Sequence, residues 1–546
     1  MEQFQSELGA FPQNFRDLLI VIDVLNALTD KTKQMRFPEA FCAQSHVILG
    51  DSFQFTQDDI DKSNNHFDTT ADLQLISFMN KDPLINNSFS DFILNLPAEP
   101  VSDSIFYKTY SSLSNIPAVF VQTRAKLFCQ LNIFVEKVQS MIDFSLSPEQ
   151  SILSDKIRTI RAYLLYKTKF QLLNESLEKT DTKYTYDLQQ VNFDTVKANV
   201  GGGSGENTMF NQAYQQLHEN AHITFRRSNE QLWNAVYVGM YSSDAGGPYR
   251  DSVTHICSDI CSTRLPLFIL CPNGRTNSGL NRDRWIPNIF PPNKPIPKMF
   301  KKHYRFVGQL MGMAIRRKHY LDLKFPILLW KQLVREQVTM EDVEAIDIQS
   351  FTIINEMEKN ITQNQSTDTN IDINYLFSSI MSELRFDVVS SAGQTYELVP
   401  GGMEIPITAA NFKEYCTYYR EYRLNEFCRQ IEFIRQGLWS IVPCNFLSLF
   451  TASELEEAVC GKGQFDVELL KRNTYYDSDN SQDLPHIQRF WTVLSEMFND
   501  EQKKSFLTFV WGRSTLPSRD EDFTSKFKIN AYYTSSGEVD KALPRK

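Results

Sequence analysis

The pattern His218-Glu219-Asn220-Ala221-His222 matches HExxH, a spacing suited to metal-assisted hydrolysis. On a helix the two histidines would lie one turn apart and could share a zinc ion, with Glu219 as general base on the bound water. A catalytic zinc needs a third protein ligand, and the following residues lack the glycine and third histidine of metzincins. Glu230 is the nearest acidic candidate, but it lies closer than such a ligand usually does. The preceding apolar run instead favours an ordinary amphipathic helix with a histidine at its edge: Phe210, Tyr214, Leu217.

Cysteine offers a second kind of chemistry, because a thiolate activated by a neighbouring base is a nucleophile. None of the cysteines stands beside an obvious base in the sequence. Cys257 and Cys261 share a helical face near Ile256 and Ile260, which is typical of buried thiols. The odd number and the lack of any CxxC pair indicate reduced thiols. The nine cysteines are Cys42, Cys129, Cys257, Cys261, Cys271, Cys416, Cys428, Cys444 and Cys460.

Glycine-rich segments could bind phosphate or pack helices. The run from Gly201 to Gly205 could cradle a phosphate, but no strand leads into it and no Gly-Lys-Ser/Thr follows, so we interpret it as a linker. Gly308 and Gly312 lie four residues apart in a predicted helix and should let a second helix approach closely. A membrane-spanning GxxxG pair is excluded because arginines bracket a segment too short to cross a bilayer.

The composition describes a globular chain with several cores. It has 546 residues, 42% of them hydrophobic, and a net charge of −10, which favours two to four domains and argues against nucleic acid as a partner. The sequence contains neither an apolar run of membrane-spanning length nor an N-terminal signal peptide. We therefore expect a soluble, intracellular, cytoplasmic protein without a membrane span, and we predict no cofactor and no metal.

Periodicity predicts an α+β fold in which the first two hundred residues are mainly helical. Two of the helices there are expected within residues 127–142 and over 148–179. After the linker, a helix is predicted from about Lys301 to Lys318, a polar loop from about Asn360 to Asn374, and a half-buried strand around Lys526 to Tyr533. The residues on either side of Ser390-Ser-Ala-Gly393 predict a hairpin with glycine in its turn.

From about residue 206 to the end, the chain resembles HECT-type ubiquitin ligases, and among them the large HERC type. Many separate signatures of the family occur in the family's order. They are Asp244-Ala-Gly-Gly-Pro-Tyr-Arg-Asp251, Asn281-Arg-Asp-Arg284, Phe306-Val-Gly-Gln-Leu-Met-Gly-Met-Ala-Ile315, Leu321-Asp-Leu, Leu329-Trp-Lys-Gln-Leu333, Pro400-Gly-Gly-Met-Glu-Ile-Pro406, Glu421-Tyr-Arg-Leu424, Cys460-Gly, Leu470-Lys-Arg-Asn-Thr-Tyr475, Phe490-Trp491 and Phe506-Leu-Thr-Phe-Val-Trp-Gly-Arg-Ser-Thr-Leu-Pro517.

The resemblance implies a helical accessory region over 1–200, the linker at 201–205 and a bilobal HECT domain. Its N-lobe would cover 206–442, with a subdomain binding a ubiquitin-conjugating enzyme at about 326–405. A hinge near Ile441-Val-Pro-Cys444 would lead to a C-lobe over 443–546. In the family, a C-lobe cysteine receives ubiquitin as a thioester and passes it to a substrate lysine; here the protein substrate is unknown.

The family's catalytic segment reads Leu-Pro-x-x-x-Thr-Cys-Phe, and the sequence ends within it, at Leu543-Pro544-Arg545-Lys546. The thioester cysteine is therefore expected about three residues after Lys546, and no catalytic residue is assigned within the chain. We expect an incomplete, marginally stable C-lobe that forms no thioester with ubiquitin. Three hypotheses remain: a truncated HECT ligase, a non-catalytic module that binds the conjugating enzyme, and a zinc metallopeptidase built on residues 218–222.

Overall fold

The computed structural model of the protein describes most of the chain outside its N-terminal fifty-five residues. The described residues are 35–37, 56–81, 108–138, 142–144, 150–200, 205–240, 246–366, 383–408, 410–461, 463, 465–477, 481–512, 515–517, 520–523 and 526–530. Two compact units divide the chain: Met1–Lys179 with Pro443–Thr451, and Thr180–Val442 with Ala452–Lys546. The predicted division of the chain into four segments stays a prediction. The two compact units follow a different division, because residues 443–451 group with the N-terminal helices.

The described part of the first unit is helical. Its helices are α1 (Gln57–His66), α2 (Thr69–Lys81), α3 (Ala118–Val138), α4 (Ile152–Thr159) and α5 (Tyr166–Lys179), with 3-10 turns at Ser111–Leu113 and Arg161–Tyr163. Thr56 begins α1 with a capping box to Asp59, which satisfies free amide groups at the helix start. The single helix predicted over 148–179 is wrong: Leu164 is extended between α4 and α5 and fully buried, because its side chain joins the core there.

A buried arginine organises this first core. The Arg124 guanidinium donates from Nε and from one Nη to the two carboxylate oxygens of Asp72, at 2.7 Å each. Phe37, Phe67 and Phe128 surround the guanidinium, with ring centroids 4.9 to 5.4 Å from Cζ. The ion pair with Asp72 and the aromatic contacts offset the free-energy cost of removing the charged guanidinium from water.

The second unit mixes helices with short strands, so the predicted α+β class is confirmed. Its first part contains β1 (Gln190–Phe193), α6 (Thr195–Asn199), α7 (Met209–Leu217), α8 (Ala221–Thr224), β2 (Asn234–Tyr237), α9 (Gly247–Ile260), β3 (Phe268–Leu270), α10 (Pro272–Thr276), β4 (Trp285–Pro287), α11 (Lys298–Arg317) and α12 (Ile327–Leu333). Strands β1 and β2 pair in parallel, whereas β3 and β4 are antiparallel.

Its middle part contains α13 (Met340–Glu344), α14 (Ile348–Ser366), β5 (Asp387–Val389), β6 (Thr395–Glu397), a 3-10 turn at Gly402–Glu404, α15 (Phe412–Asn425) and α16 (Cys428–Ile441). Because α14 runs to Ser366, the loop predicted from Asn360 is wrong over its first seven residues; the rest of that loop lies outside the described residues. The antiparallel pair β5–β6 confirms the predicted hairpin, and Gly393 has a φ of 78° in its turn.

The close approach predicted at Gly308 is confirmed. A Cβ at Gly308 would lie 1.8 Å from the Ile434 carbonyl oxygen, and one at Gly437 would lie 1.8 Å from the Arg305 carbonyl oxygen. A Cβ at Gly312 would meet the Ile441 side chain at 2.6 Å. Helices α11 and α16 therefore pack backbone to backbone.

The chain continues through α17 (Cys444–Leu447), which belongs to the first unit, and then α18 (Ala452–Cys460), α19 (Val467–Arg472), β7 (Thr474–Tyr476), α20 (Pro485–Thr492), α21 (Asp500–Trp511) and β8 (Phe527–Ile529). A π-helical turn at Val493–Met497 follows α20. Strand β8 pairs in parallel with β7, so the strand predicted around Lys526 is confirmed where it is described. A separate core forms here around Leu470, Ile487, Trp491, Leu494, Leu507 and Leu516.

Candidate protein-docking site

The HExxH residues do not form a metal site. Helix α7 ends at Leu217, and His218 is its C-cap, followed by the short helix α8 that carries His222. The His218 ring lies against Tyr214 with centroids 4.3 Å apart, and its Nδ1 is 2.8 Å from the Tyr214 carbonyl oxygen. Within the described residues, no group of three possible metal ligands is found. The zinc peptidase hypothesis is wrong, because α7 ends just before the motif and His222 belongs to α8, so the two histidines do not lie one turn apart on a single helix.

Glu230, the nearest acidic candidate for a zinc ligand, has a different partner. It accepts a hydrogen bond from Arg250 at 3.1 Å, on the surface of the second unit. The linker residues 201–204 lie outside the described part, as does the segment from Leu543 to Lys546. The expected position of a thioester cysteine therefore stays a prediction.

The described cysteines whose thiol pKa is raised by burial are poor nucleophiles. Burial raises the pKa of the Cys257 and Cys460 thiols well above the ordinary value, and raises that of Cys261 to about 12. Cys261 accepts from the Lys324 amide at 3.5 Å, while Cys460 donates toward the Leu323 carbonyl at 3.8 Å. A high pKa keeps a thiol protonated and unreactive, so these cysteines are structural, as the sequence indicated for Cys257 and Cys261.

The described residues within 340–425 of the second unit (340–366, 383–408 and 410–425) fold around a core of their own, and we call them the small subdomain. Its core residues come from α13, α14, the β5–β6 hairpin and α15: Val343, Phe351, Ile354, Phe386, Val388, Ile407, Phe412, Tyr415, Cys416 and Tyr419. Tyrosine and phenylalanine rings meet edge to face in this core, as at Phe386 and Tyr415, 5.7 Å apart. The core extends beyond residue 405, where the predicted subdomain ended, because α15 supplies one side of it.

The hairpin and the turn after it expose aliphatic side chains. Val388 points into the core, and Val389 is therefore on the opposite face, 58% exposed. Met403 and Ile405 are 43% and 37% exposed. The Glu397 carboxylate accepts from the amides of Gly401 at 3.3 Å and Met403 at 3.5 Å, which fastens the turn to β6. We call Val389, Glu397, Met403 and Ile405 the docking face.

A buried ionic cluster holds the hairpin turn. The Ser391 amide and hydroxyl both donate to the Glu426 carboxylate at 2.6 Å, and Arg423 donates to Ser391 Oγ at 3.0 Å and to Asp347 at 2.7 Å. The Arg423 and Glu426 side chains are each 1% exposed, and Asp347 is 6% exposed. The interactions with Asp347 and Glu426 raise the pKa of Arg423 against the effect of burial.

Neither sequence pattern nor periodicity singled out these residues. Arg423 lies within the family signature Glu421-Tyr-Arg-Leu424, which could have drawn attention to it, but nothing local connects it to Asp347, 76 residues earlier. The sequence likewise did not single out the individual residues of the docking face, although it predicted the hairpin that carries Val389 and Glu397.

Comparison with known proteins identifies relatives over most of the chain. Residues 254–545 match the family model described as HECT-domain (ubiquitin-transferase). The chain is 30% identical over 427 residues to the human E3 ubiquitin-protein ligase HERC2, covering 76% of this chain and 8% of that protein. It is 25% identical over 433 residues to the human probable E3 ubiquitin-protein ligase HECTD4, covering 74% and 10%, and 29% identical over 227 residues to yeast RSP5, an E3 ubiquitin-protein ligase, covering 41% and 26%. The chain thus spans about a tenth of the two human relatives.

Proposed function

Because this chain belongs to the HECT family of ubiquitin transferases, we propose that it is the transferase region of an E3 ubiquitin-protein ligase and that its small subdomain binds the ubiquitin-conjugating enzyme. A protein that continues past Lys546 to the expected cysteine would accept ubiquitin from that enzyme as a thioester and pass it to a lysine of a substrate. The names of the relatives support this activity: HERC2 and RSP5 are each called an E3 ubiquitin-protein ligase.

The observation that carries the docking role is the exposed aliphatic surface on a rigid hairpin. Val389 and Met403 are large apolar side chains on a subdomain that already has a complete aromatic core. Apolar side chains held by a fixed backbone lose little entropy on binding and are the usual centre of a protein interface. Among the described residues no helix has the length and apolar character to cross a membrane.

The first prediction concerns the docking face itself. Val389→Asp and Met403→Asp should each weaken binding of a ubiquitin-conjugating enzyme about tenfold, because a carboxylate would be desolvated at an apolar contact. The measurement is isothermal titration of the chain with purified conjugating enzymes, using one that binds the unaltered protein.

The control is Ile353→Asp, which makes the same kind of change at an aliphatic side chain of α14 that is 59% exposed. It should leave the dissociation constant unchanged. Equal weakening by all three variants, or no weakening by the two variants of the docking face, would contradict the proposed face. For the whole protein, discharge of ubiquitin from the charged conjugating enzyme should slow in the same order as binding weakens.

A further inference from the structure

We propose that the ionic cluster around Arg423 is a positioning device that sets the orientation of the docking face. Arg423, Glu426 and Asp347 act through Ser391 and do not themselves belong to the docking face. The inference rests on the proposed docking function and deepens it, since it assigns residues that control how the conjugating enzyme is received.

Every polar group of Ser391 makes a hydrogen bond, either to the cluster or to Arg275. Its amide and hydroxyl donate to Glu426, its hydroxyl oxygen accepts from Arg423, and its carbonyl oxygen accepts from Arg275. Ser391 lies in the turn between β5 and β6, two residues after Val389. The backbone position of Val389 is therefore tied to charged groups at three other places in the chain.

The hairpin does not need this cluster to close. The Ser390 amide donates to the Gln394 carbonyl at 2.8 Å, and the Gly393 amide donates to the Ser390 carbonyl at 2.8 Å. These two bonds, with the left-handed Gly393, already form the turn. The bonds to Glu426, Arg423 and Arg275 add constraints on where the closed hairpin lies, because their partners belong to other elements.

Asp347, Arg423 and Glu426 lie near the two ends of the small subdomain. Asp347 immediately precedes α14, whereas Arg423 and Glu426 lie at the end of α15, before α16. Arg275 comes from α10, outside the small subdomain. Helix α16 packs backbone to backbone on α11 through Gly437. The cluster therefore links the hairpin turn to residues that lead directly into the closely packed helix pair α11–α16.

A second set of hydrogen bonds joins the start of the small subdomain to Asn273 and Asn281. The Asn273 side chain accepts from the Ile348 amide at 2.9 Å and donates to the Ala345 carbonyl at 3.1 Å. Asn281 donates to the same carbonyl at 3.0 Å. These bonds hold the backbone on both sides of Asp347 independently of the ionic cluster.

Burying charges in this way is a poor route to stability. Buried ion pairs cost desolvation free energy, and replacing them by apolar groups often stabilises a protein. The hydrogen bonds of a buried ion pair are directional, so they restrict the relative position of the bonded groups more strictly than apolar contacts do. An interface that is already fixed before binding loses less conformational entropy when its partner arrives, so the cluster should increase affinity without touching the partner.

The test is Glu426→Gln, which keeps the shape of the side chain and removes its charge. A glutamine can accept from Ser391 through one oxygen only, so the hairpin turn should loosen. We expect the dissociation constant of a conjugating enzyme that binds the unaltered chain to rise about fivefold at 25 °C. Amide hydrogen exchange at Ser390 and Ser391, whose amides donate to Gln394 and Glu426, should become faster in the same variant.

Glu421→Gln is the matched control, because it removes the same charge from an exposed position on the same helix. It should change neither quantity. Glu426→Asp retains the carboxylate and should recover part of the affinity. Ser391→Ala, which removes only the hydroxyl, provides a milder variant that should weaken binding less than Glu426→Gln does.

The outcomes separate the two proposals. If no conjugating enzyme binds the unaltered chain, the proposed function fails and the inference falls with it. If the unaltered chain binds and Glu426→Gln binds equally well, or binds more weakly with unchanged exchange in the hairpin, the positioning role is overturned while docking stands. If Glu426→Gln unfolds, Ser391→Ala decides: unchanged affinity or unchanged hairpin exchange overturns the inference.

Discussion

At the scale of single residues, burial determines which titratable groups are reactive and which are structural. His303 lies between the edges of Phe210 and Tyr214, with ring centroids 5.5 and 4.6 Å away. Its Nε2 is buried and has no hydrogen-bond partner. Burial first, and then His218, lower the pKa of His303 from 6.5 to about 4, so the folded protein holds this imidazole neutral at neutral pH.

This histidine should make the protein sensitive to acid. Between about pH 6.5 and 4, an unfolded chain binds a proton at His303 that the folded chain does not, so stability falls as pH decreases through that window. His303→Phe keeps the aromatic contacts and should remove about 1 kcal/mol of that loss between pH 7 and pH 5. Urea unfolding at both pH values measures it.

The control is His222→Gln, at an exposed position on α8, which should leave the loss of stability unchanged. An identical pH dependence in His303→Phe and in the unaltered protein would show that His303 does not contribute.

At the scale of elements, the helix pair α11–α16 depends on the absence of side chains at its crossing. Gly308→Ala and Gly437→Ala should each destabilise the second unit by about 3 kcal/mol, because the added methyl group meets a backbone carbonyl and the helices must separate. Chemical denaturation reports the free energy of unfolding. The effect would oppose helix propensity, which favours alanine over glycine.

Gly463, between α18 and α19, offers the comparison. A Cβ there would meet nothing within 4 Å and its φ is not positive, so Gly463→Ala should be neutral or slightly stabilising. A similar loss of stability in all three variants would indicate a general cost of removing glycine and would contradict close packing at the crossing.

At the scale of the whole molecule, the first unit contains a segment from late in the chain. Leu449 and Phe450 are fully buried, and the Phe450 ring meets Tyr166 edge to face at 5.9 Å. Arg161 donates to the Phe450 carbonyl at 3.5 Å, and Ser448 donates to the Phe144 carbonyl at 3.2 Å. The segment 443–451 therefore contributes to the core of the first unit.

A fragment of residues 180–546 should expose these apolar side chains. We expect it to bind a hydrophobic dye and to associate in size-exclusion chromatography, because Leu449 and Phe450 would lose the helices that cover them. The same fragment with Leu449→Ser and Phe450→Ser should associate less. A monomeric fragment that binds no dye would contradict the contribution of the segment 443–451 to that core.

The sequence by itself determined the features that depend on neighbours in the chain. Ordered signatures such as Pro400-Gly-Gly-Met-Glu-Ile-Pro406 identified the HECT family, which the family comparison bears out. The spacing of Gly308 and Gly312 predicted a close helix contact, and Gly393 predicted the hairpin turn. These signals are local, because a helix face and a tight turn are each defined within a few residues.

Only the tertiary structure decided which distant residues meet. It ended α7 just before the HExxH pattern, and it brought Asp347, Ser391, Arg423 and Glu426 together from distant parts of the sequence. It also placed residues 443–451 in the first unit, whereas the family resemblance implied a hinge near Ile441 to Cys444 and a C-lobe beginning at residue 443. Such contacts arise from the packing of whole elements and leave no periodic trace in the sequence, and the desolvation that shifts the pKa of His303 exists only once that packing has formed.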